Sequence, residues 1–455
     1  MSVFEDSVWI NQYIKSKECD IINVIRVNNI KSYLNTMEPH ILKYFVDNSS
    51  ELLKIALGNR VTDNIKDRQI CKTILMTPIM SFSKAVVKSK GFLDTLTSFI
   101  YSDLVNDYFS ASMFSRLFQF FVQDATASFM IDIDNCAGFL TALLSHINIS
   151  PLSNLFLFLS DSSDIALVTI FEQSEIVSEL VGQISDDSKG AVVLECLISI
   201  IVNSESDSHV FDIVLKQSCI EKVFQIGMSS TNKKVSSNAF NLLLQICSND
   251  KAYPEEESSF SSVLSIMESH IPQICNFIMS SGSFLEPKFH CVELIAGLVL
   301  SYENSPACIE DTIKYLFNQM FLKPFHSFLH RSFITLFEAF YTVAEDSNKL
   351  IEECNMKNRI IQAFESKNET RASYWGYLYT LSNLLSENDT DDKAWEFFYA
   401  STILNIKKHI DSGYGGPVPK NPFLYLEDCE VLDEIEEDYE EDNVPNVFDD
   451  EEDPF

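Results

Sequence analysis

Four stretches of the chain superimpose with the same apolar pattern, and that repetition constrains the fold more than any other feature. They are Phe82–Ile100, Phe129–Ile147, Ala166–Ile184 and Val210–Met228, with Gly91, Gly138, Glu175 and Cys219 as equivalent points. Nine residues before each point lie Phe82, Phe129, Ala166 and Val210, and five before lie Val86, Ile133, Ile170 and Val214. One residue after come Phe92, Phe139, Ile176 and Ile220; five after, Leu96, Leu143, Leu180 and Phe224; nine after, Ile100, Ile147, Ile184 and Met228. All twenty positions are apolar. Steps of four on either side of the reference point mark two helical stripes. The short breaks between them, Lys88–Lys90, Asn135–Ala137, Gln173–Ser174 and Gln217–Ser218, predict helix–turn–helix corners.

The copies lie 47, 37 and 44 residues apart, the length of HEAT and armadillo units. A single helix pair cannot bury its own apolar face, so the pairs must stack side by side. The expected fold class is all-α, an armadillo/HEAT-like helical-repeat solenoid. Eight further amphipathic segments between Lys234 and Ile410 continue it in a looser register. With 12 Gly and 13 Pro in 455 residues, the chain has too few turn residues for a barrel or sandwich. Lys251–Glu257, with Pro254 and three glutamates, is expected to be an exposed loop. Residues 1–17 read as an N-terminal extension, 18–412 as the repeat domain, and 413–455 as a Gly/Pro linker followed by a disordered acidic C-terminal tail. From Glu427 onward there are 16 acidic residues, and no basic residue follows Lys420; like charges this dense repel and build no core.

Charge narrows the function. Lys and Arg number 33 against 66 Asp and Glu, a net charge of −33. Phosphate affinity needs clustered cations, so no nucleic-acid partner is expected, and an anionic membrane surface is disfavoured for the same reason. The most apolar run, Ala191–Val202, contains Glu195 and is too short to span a bilayer, so no membrane insertion is expected. Eleven cysteines are scattered singly without a CxxC pair, which reads as reduced thiols in an intracellular protein. The expected location is the cytoplasm, with the nucleus also open.

No phosphate-loop, GxGxxG or GxSxG motif is present. His326 and His330 have the i, i+4 spacing of a metal pair, but Ser327 stands where a zincin needs Glu. A helix-end histidine plus a hydrogen-bonded buried one is the reading adopted, and no metal, cofactor or catalytic residue is expected. His290 and Cys291 read as core. The acidic tail lacks the glycine turn of a calcium loop. The terminal Asp453-Pro454-Phe455 is similar to short peptides that bind endocytic adaptor appendages. From the residues alone the chain is a scaffold that holds another protein.

Several motifs in order sharpen this. They are Asp20 to Asn29 running on to Leu34, Phe114-Ser115-Arg116, Gly138 to Ile147 with Ser150 and Leu155 to Leu159, and Ser237-Asn238-Ala239. After these come Phe325-His326-Ser327-Phe328-Leu329-His330, Asn358 to Ile361, and Trp395-Glu396. Over residues 18–412 this order resembles the SAPS-domain proteins, regulatory subunits of the protein phosphatase 6 class of Ser/Thr phosphatases. The sequence departs from the family pattern at Asn148-Ile149 (Gly-Thr in the family), at Phe158 (Arg) and at His326-Ser327 (Asn-Asn).

The resemblance implies a non-catalytic regulatory subunit that binds a phosphatase 6-like catalytic subunit, with further regulatory subunits also open, and directs its location and substrate choice. The alternative is another armadillo/HEAT adaptor in transport or trafficking. The partner-binding residues it implies are Phe114, Ser115, Arg116, His146, Ser150, Asn154, Asn238, Asn241 and His330. Asn238 is a poor helix former, either tying one repeat to the backbone of the next or facing a partner. His146 is either structural or interfacial. Arg116 has a guanidinium that can grip a carboxylate with two prongs.

Overall fold

In the computed structural model the described residues are 12–14, 20–27, 30, 39–60, 64–124, 128–131, 133, 135–173, 175–186, 188–204, 208–248, 259–300, 306–344, 347–367, 371–386 and 392–411. The loop expected at Lys251–Glu257, the linker and the acidic tail lie outside them. Among the described residues there is no strand, and the architecture is the expected all-α helical repeat. The chain divides into two compact units, residues 1–301 and 302–454.

In the first unit α1 (Ile21–Ile25) is capped by the Asp20 carboxylate, which accepts from the Ile22 amide. Helices then follow in triplets: α2 (Pro39–Asp47), α3 (Ser49–Leu57) and α4 (Ile65–Leu75); α5 (Met80–Lys88), α6 (Phe92–Ser98) and α7 (Tyr108–Asp124). Next come α8 (Ser128–Ile131), α9 (Cys136–Ser145) and α10 (Ser150–Ser160); α11 (Ile165–Gln173), α12 (Ile176–Gln183) and α13 (Gly190–Asn203); and α14 (His209–Val214), α15 (Gln217–Ser229) and α16 (Lys233–Ser248). The unit closes with α17 (Ser259–Met279) and α18 (Glu286–Val299).

The two aligned stripes are the first two helices of each triplet. Of the twenty apolar positions, all but Ala166, Ile170 and Met228 are buried; a large apolar side chain contributes roughly 1.5–3 kcal/mol on burial. The third helix of each triplet was not visible as a stripe. It packs against its counterparts in the neighbouring triplets, so that α4, α7, α10, α13, α16 and α18 form one continuous layer.

Two corners fall earlier than the breaks in polarity. Asn135 adopts the left-handed conformation (φ 52°) and its side-chain oxygen accepts from the Gly138 amide, so α9 starts at Cys136. In the fourth copy Lys216 is the cap and Gln217-Ser218 belong to α15. Polar residues suit a first helical turn, whose amides have no intrahelical acceptor. Gly91 (φ 75°) makes the equivalent corner between α5 and α6.

Aromatic rings lock the second triplet to the third. Phe114, Phe118 and Phe121 lie along one face of α7. Phe114 stacks on Phe99 at 4.7 Å and Phe121 meets Phe92 at 5.1 Å within the triplet. Phe118 reaches forward to Phe139 at 5.0 Å and Phe129 at 5.3 Å.

Polar ties repeat at the same interval. The Arg26 guanidinium grips the buried Asp67 carboxylate, Arg68 donates to Ser110 Oγ at 2.7 Å, and the Tyr101 hydroxyl donates to the Gly138 carbonyl. Lys222 donates to the Val181 carbonyl, and Asn238 Nδ2 to the Ala191 carbonyl at 2.7 Å. Partners in these ties are 37 to 47 residues apart, one repeat, so each joins only adjacent triplets.

The second unit contains α19 (Ala307–Leu322), α20 (Ser327–Val343), α21 (Ser347–Glu353), α22 (Met356–Glu365), α23 (Trp375–Leu385), α24 (Lys393–Phe398) and α25 (Leu404–Asp411). The single helix expected from Ala394 to Ile410 is interrupted by a π-helical turn, Tyr399–Ile403. Here too α23 packs on α20, with α21 and α22 between them in sequence. Arg359 donates to Asn318 Oδ1, 41 residues away.

Candidate interaction surfaces

The nine residues nominated from the sequence separate into core, tie and surface. Phe114 is fully enclosed in the aromatic cluster and Ser115 is buried beside it. His330 is also fully buried, so none of these three offers a face to a partner. The reason is geometric: a motif of consecutive residues on a helix necessarily points in several directions, and only Arg116 of its triplet lies on the outward side of α7.

Asn238 and His146 act between repeats. The Asn238 amide bonds the Ala191 carbonyl across the α13–α16 seam. The His146 ring, half-buried, hydrogen-bonds the backbone of Ile100 in the preceding triplet; burial holds its pKa below the ordinary value. Asn241 is half-exposed and accepts from Gln245. Ser150 and Asn154, on α10, are exposed.

One candidate surface is an open groove of about 690 Å³ between α4 and α7. Lys66 and Lys72 line it from α4, and Phe109, Ser112 and Arg116 from α7. Arg68, outside the lining, braces α4 against α3 and α7, donating from Nε to the Ala56 carbonyl at 3.0 Å and from its other arm to Ser110 Oγ while covering the Phe109 ring at 4.7 Å. Gly58, which ends α3 with φ 87°, makes room for that guanidinium: a Cβ there would stand 3.0 Å from Arg68 Cζ.

A second surface lies in the other unit, at the turn between α19 and α20. Leu322, Phe325 and Phe328 are 72%, 70% and 63% exposed. The turn beneath them is pinned. His330 Nε2–H donates to the Lys323 carbonyl at 2.9 Å, and the Ser373 amide donates to the Pro324 carbonyl at 2.7 Å. His326 caps α20 by accepting from the Leu329 amide at 3.3 Å. Burial holds the His330 imidazole below its ordinary pKa, against the opposing pull of that backbone bond. Both histidines of the i, i+4 pair thus have structural roles, and among the described residues no three potential ligands cluster.

The thiols are structural in the same way. Burial pushes Cys71, Cys196 and Cys247 up to about 12, and Cys136 and Cys219 to about 11, which leaves them poor nucleophiles.

Lys66, Lys72, Leu322, Phe325 and Phe328 were not nominated from the sequence. A signal for the turn existed: three large apolar residues at spacing three straddle Pro324, where no helical stripe can absorb them. The lysines carried none, since a charged residue opposite an apolar stripe is ordinary.

Among the described residues no single helix is long and apolar enough to cross a membrane. No protein-family model matches the chain, and no curated protein matches it. Among solved structures the chain is similar to the crystal structure of an engineered protein, at 12% identity and a TM-score of 0.39, over 74% of this chain and 89% of that one. A likeness of that size carries no argument about function.

Proposed function

We propose that the chain is a non-catalytic scaffold that binds the catalytic subunit of a phosphatase 6-like Ser/Thr phosphatase and directs its location and substrate choice. The observation that carries this reading is the α19–α20 turn. Three large apolar side chains face solvent on a backbone held from below, in a protein that buries most of its other large apolar residues. Concentrated exposed apolar groups on a rigid support are the composition of an interface centre. The turn coincides with Phe325–His330, one of the motifs through which the sequence resembles phosphatase regulatory subunits. Retention of aromatic residues on either side of the altered His326-Ser327 pair leaves the apolar part of such a contact in place.

Affinity purification of the tagged full-length chain from its own cells, followed by mass spectrometry, tests the reading. A Ser/Thr phosphatase catalytic subunit should co-purify and be lost from the F325A/F328A variant. Recovery of no such subunit overturns the proposal. Recovery of a coat protein or transport cargo instead assigns the chain to the adaptor class.

A further inference from the structure

We propose that the groove between α4 and α7 binds a phosphorylated linear segment of a partner protein. The chain carries two acidic residues for every basic one, yet this groove is lined by Lys66, Lys72 and Arg116 and by no carboxylate. Among the described residues the acids closest in sequence are already engaged. Asp67 is buried against Arg26 at 2.6 Å, and Asp107 accepts from the amide and hydroxyl of Ser110. Those hydrogen bonds, first the Ser110 hydroxyl, hold the Asp107 carboxyl below its usual range. Neither neutralises the groove.

The side chains of Lys66 and Arg116 make no hydrogen bond or ion pair with any other described residue, whereas the adjacent Arg68 is occupied in holding α4 against α3 and α7. Lys66 and Arg116 therefore have no structural duty among the described residues. A guanidinium fork with ammonium groups beside it matches a dianionic phosphate, which offers three acceptor oxygens and about two charges. Recognition of phosphorylated motifs by such clusters is a recurrent mode.

Size and surroundings select the occupant. A groove of about 690 Å³ is far larger than a phosphate ion and holds a few residues of peptide. The Phe109 ring and the Ile70 and Met113 side chains give apolar footing for residues flanking the phosphate. A polynucleotide needs a longer track of cations than the three that line this groove. The inference does not depend on which catalytic subunit the scaffold carries.

The test is fluorescence anisotropy on the full-length chain with a short labelled Gly/Ser/Val peptide bearing one central phosphoserine. Binding should be at least about tenfold tighter than for the unphosphorylated peptide and fall about tenfold or more in K66A/R116A. K233A, altered at the exposed start of α16, should bind like the parent. Circular dichroism should show unchanged melting for both variants, because the substituted residues are exposed. Equal binding of the unphosphorylated peptide overturns the proposal, as does unaltered binding by K66A/R116A. So does tighter binding of single-stranded RNA, or competition by inorganic phosphate as effective, mole for mole, as the peptide itself. Loss of peptide binding leaves co-purification of a phosphatase through Phe325 and Phe328 unaffected, so the two readings fail separately.

Discussion

The α13–α16 seam and the α4–α7 groove belong to one layer of helices and treat their polar residues in opposite ways. Across α13–α16, Asn238 bonds the Ala191 carbonyl and Lys234 reaches Glu195 at 3.2 Å, so their donors are directed at the preceding repeat. Across α4–α7 Arg68 makes the tie to Ser110, while Lys66 and Arg116 are left facing solvent. A polar side chain in a repeat layer is accounted for when its partner sits one period away. One without such a partner is available to another molecule.

The sharpest way to break this contrast is to damage the core that both regions share. F114A opens the aromatic cluster and should destabilise the first unit by about 3–5 kcal/mol in urea titration, with any partner binding lost only through unfolding. A loss below 1 kcal/mol would mean that Phe114 is not enclosed. G58A acts more locally, forcing a side chain into a left-handed backbone and against Arg68. It should cost about 1–2 kcal/mol and weaken phosphopeptide binding in the same variant, since Arg68, which ties α4 to α7 beside the groove, must shift. N238A removes one tie and should cost roughly 0.5–1.5 kcal/mol without touching the groove.

His330 supplies a pH-dependent comparison. Burial depresses its folded pKa, so once pH falls through the unfolded value of about 6.5 the unfolded chain binds more protons than the native one. The contribution is fully present above that pH and lost as pH falls toward the folded value. The melting temperature should therefore drop from pH 7.5 to 5.5, and by less in H330N than in the parent. An equal drop in both excludes His330 as the source. The smallest effect is expected at Arg116: R116A should change stability by less than about 0.5 kcal/mol while the anisotropy signal weakens.

How much was legible in the sequence follows the same physics. The first two helices of each triplet face the core on one side only, so their apolar residues recur every four positions and the stripe is visible. The third helix packs between neighbours on either side. In α13 that makes Ala191 to Val202 almost continuously apolar, with no phase to align. Variable connections before it, such as the 3₁₀ turns Phe99–Tyr101 and Asp103–Asn106 ahead of α7, absorb the unequal spacing of the copies. The surface was harder to read. Phe114, Ser115 and Arg116 are adjacent in sequence but face different environments, and nothing in composition distinguishes Lys66 from a solvating lysine. The emptiness of its surroundings becomes visible only when α4 and α7 lie side by side.

The period of the polar ties has a consequence for how such a chain changes over evolutionary time. Because each tie closes on the adjacent triplet, a segment cut at two equivalent corners, for example Gly91 and Asn135, takes one full complement of donors and acceptors with it. Tandem duplication between corners lengthens the array without orphaning a buried group, and excision shortens it equally cleanly. Growth by whole units is thus built into the hydrogen bonding, and an exposed apolar turn such as the one carrying Phe325 can be kept while the array of triplets is resized.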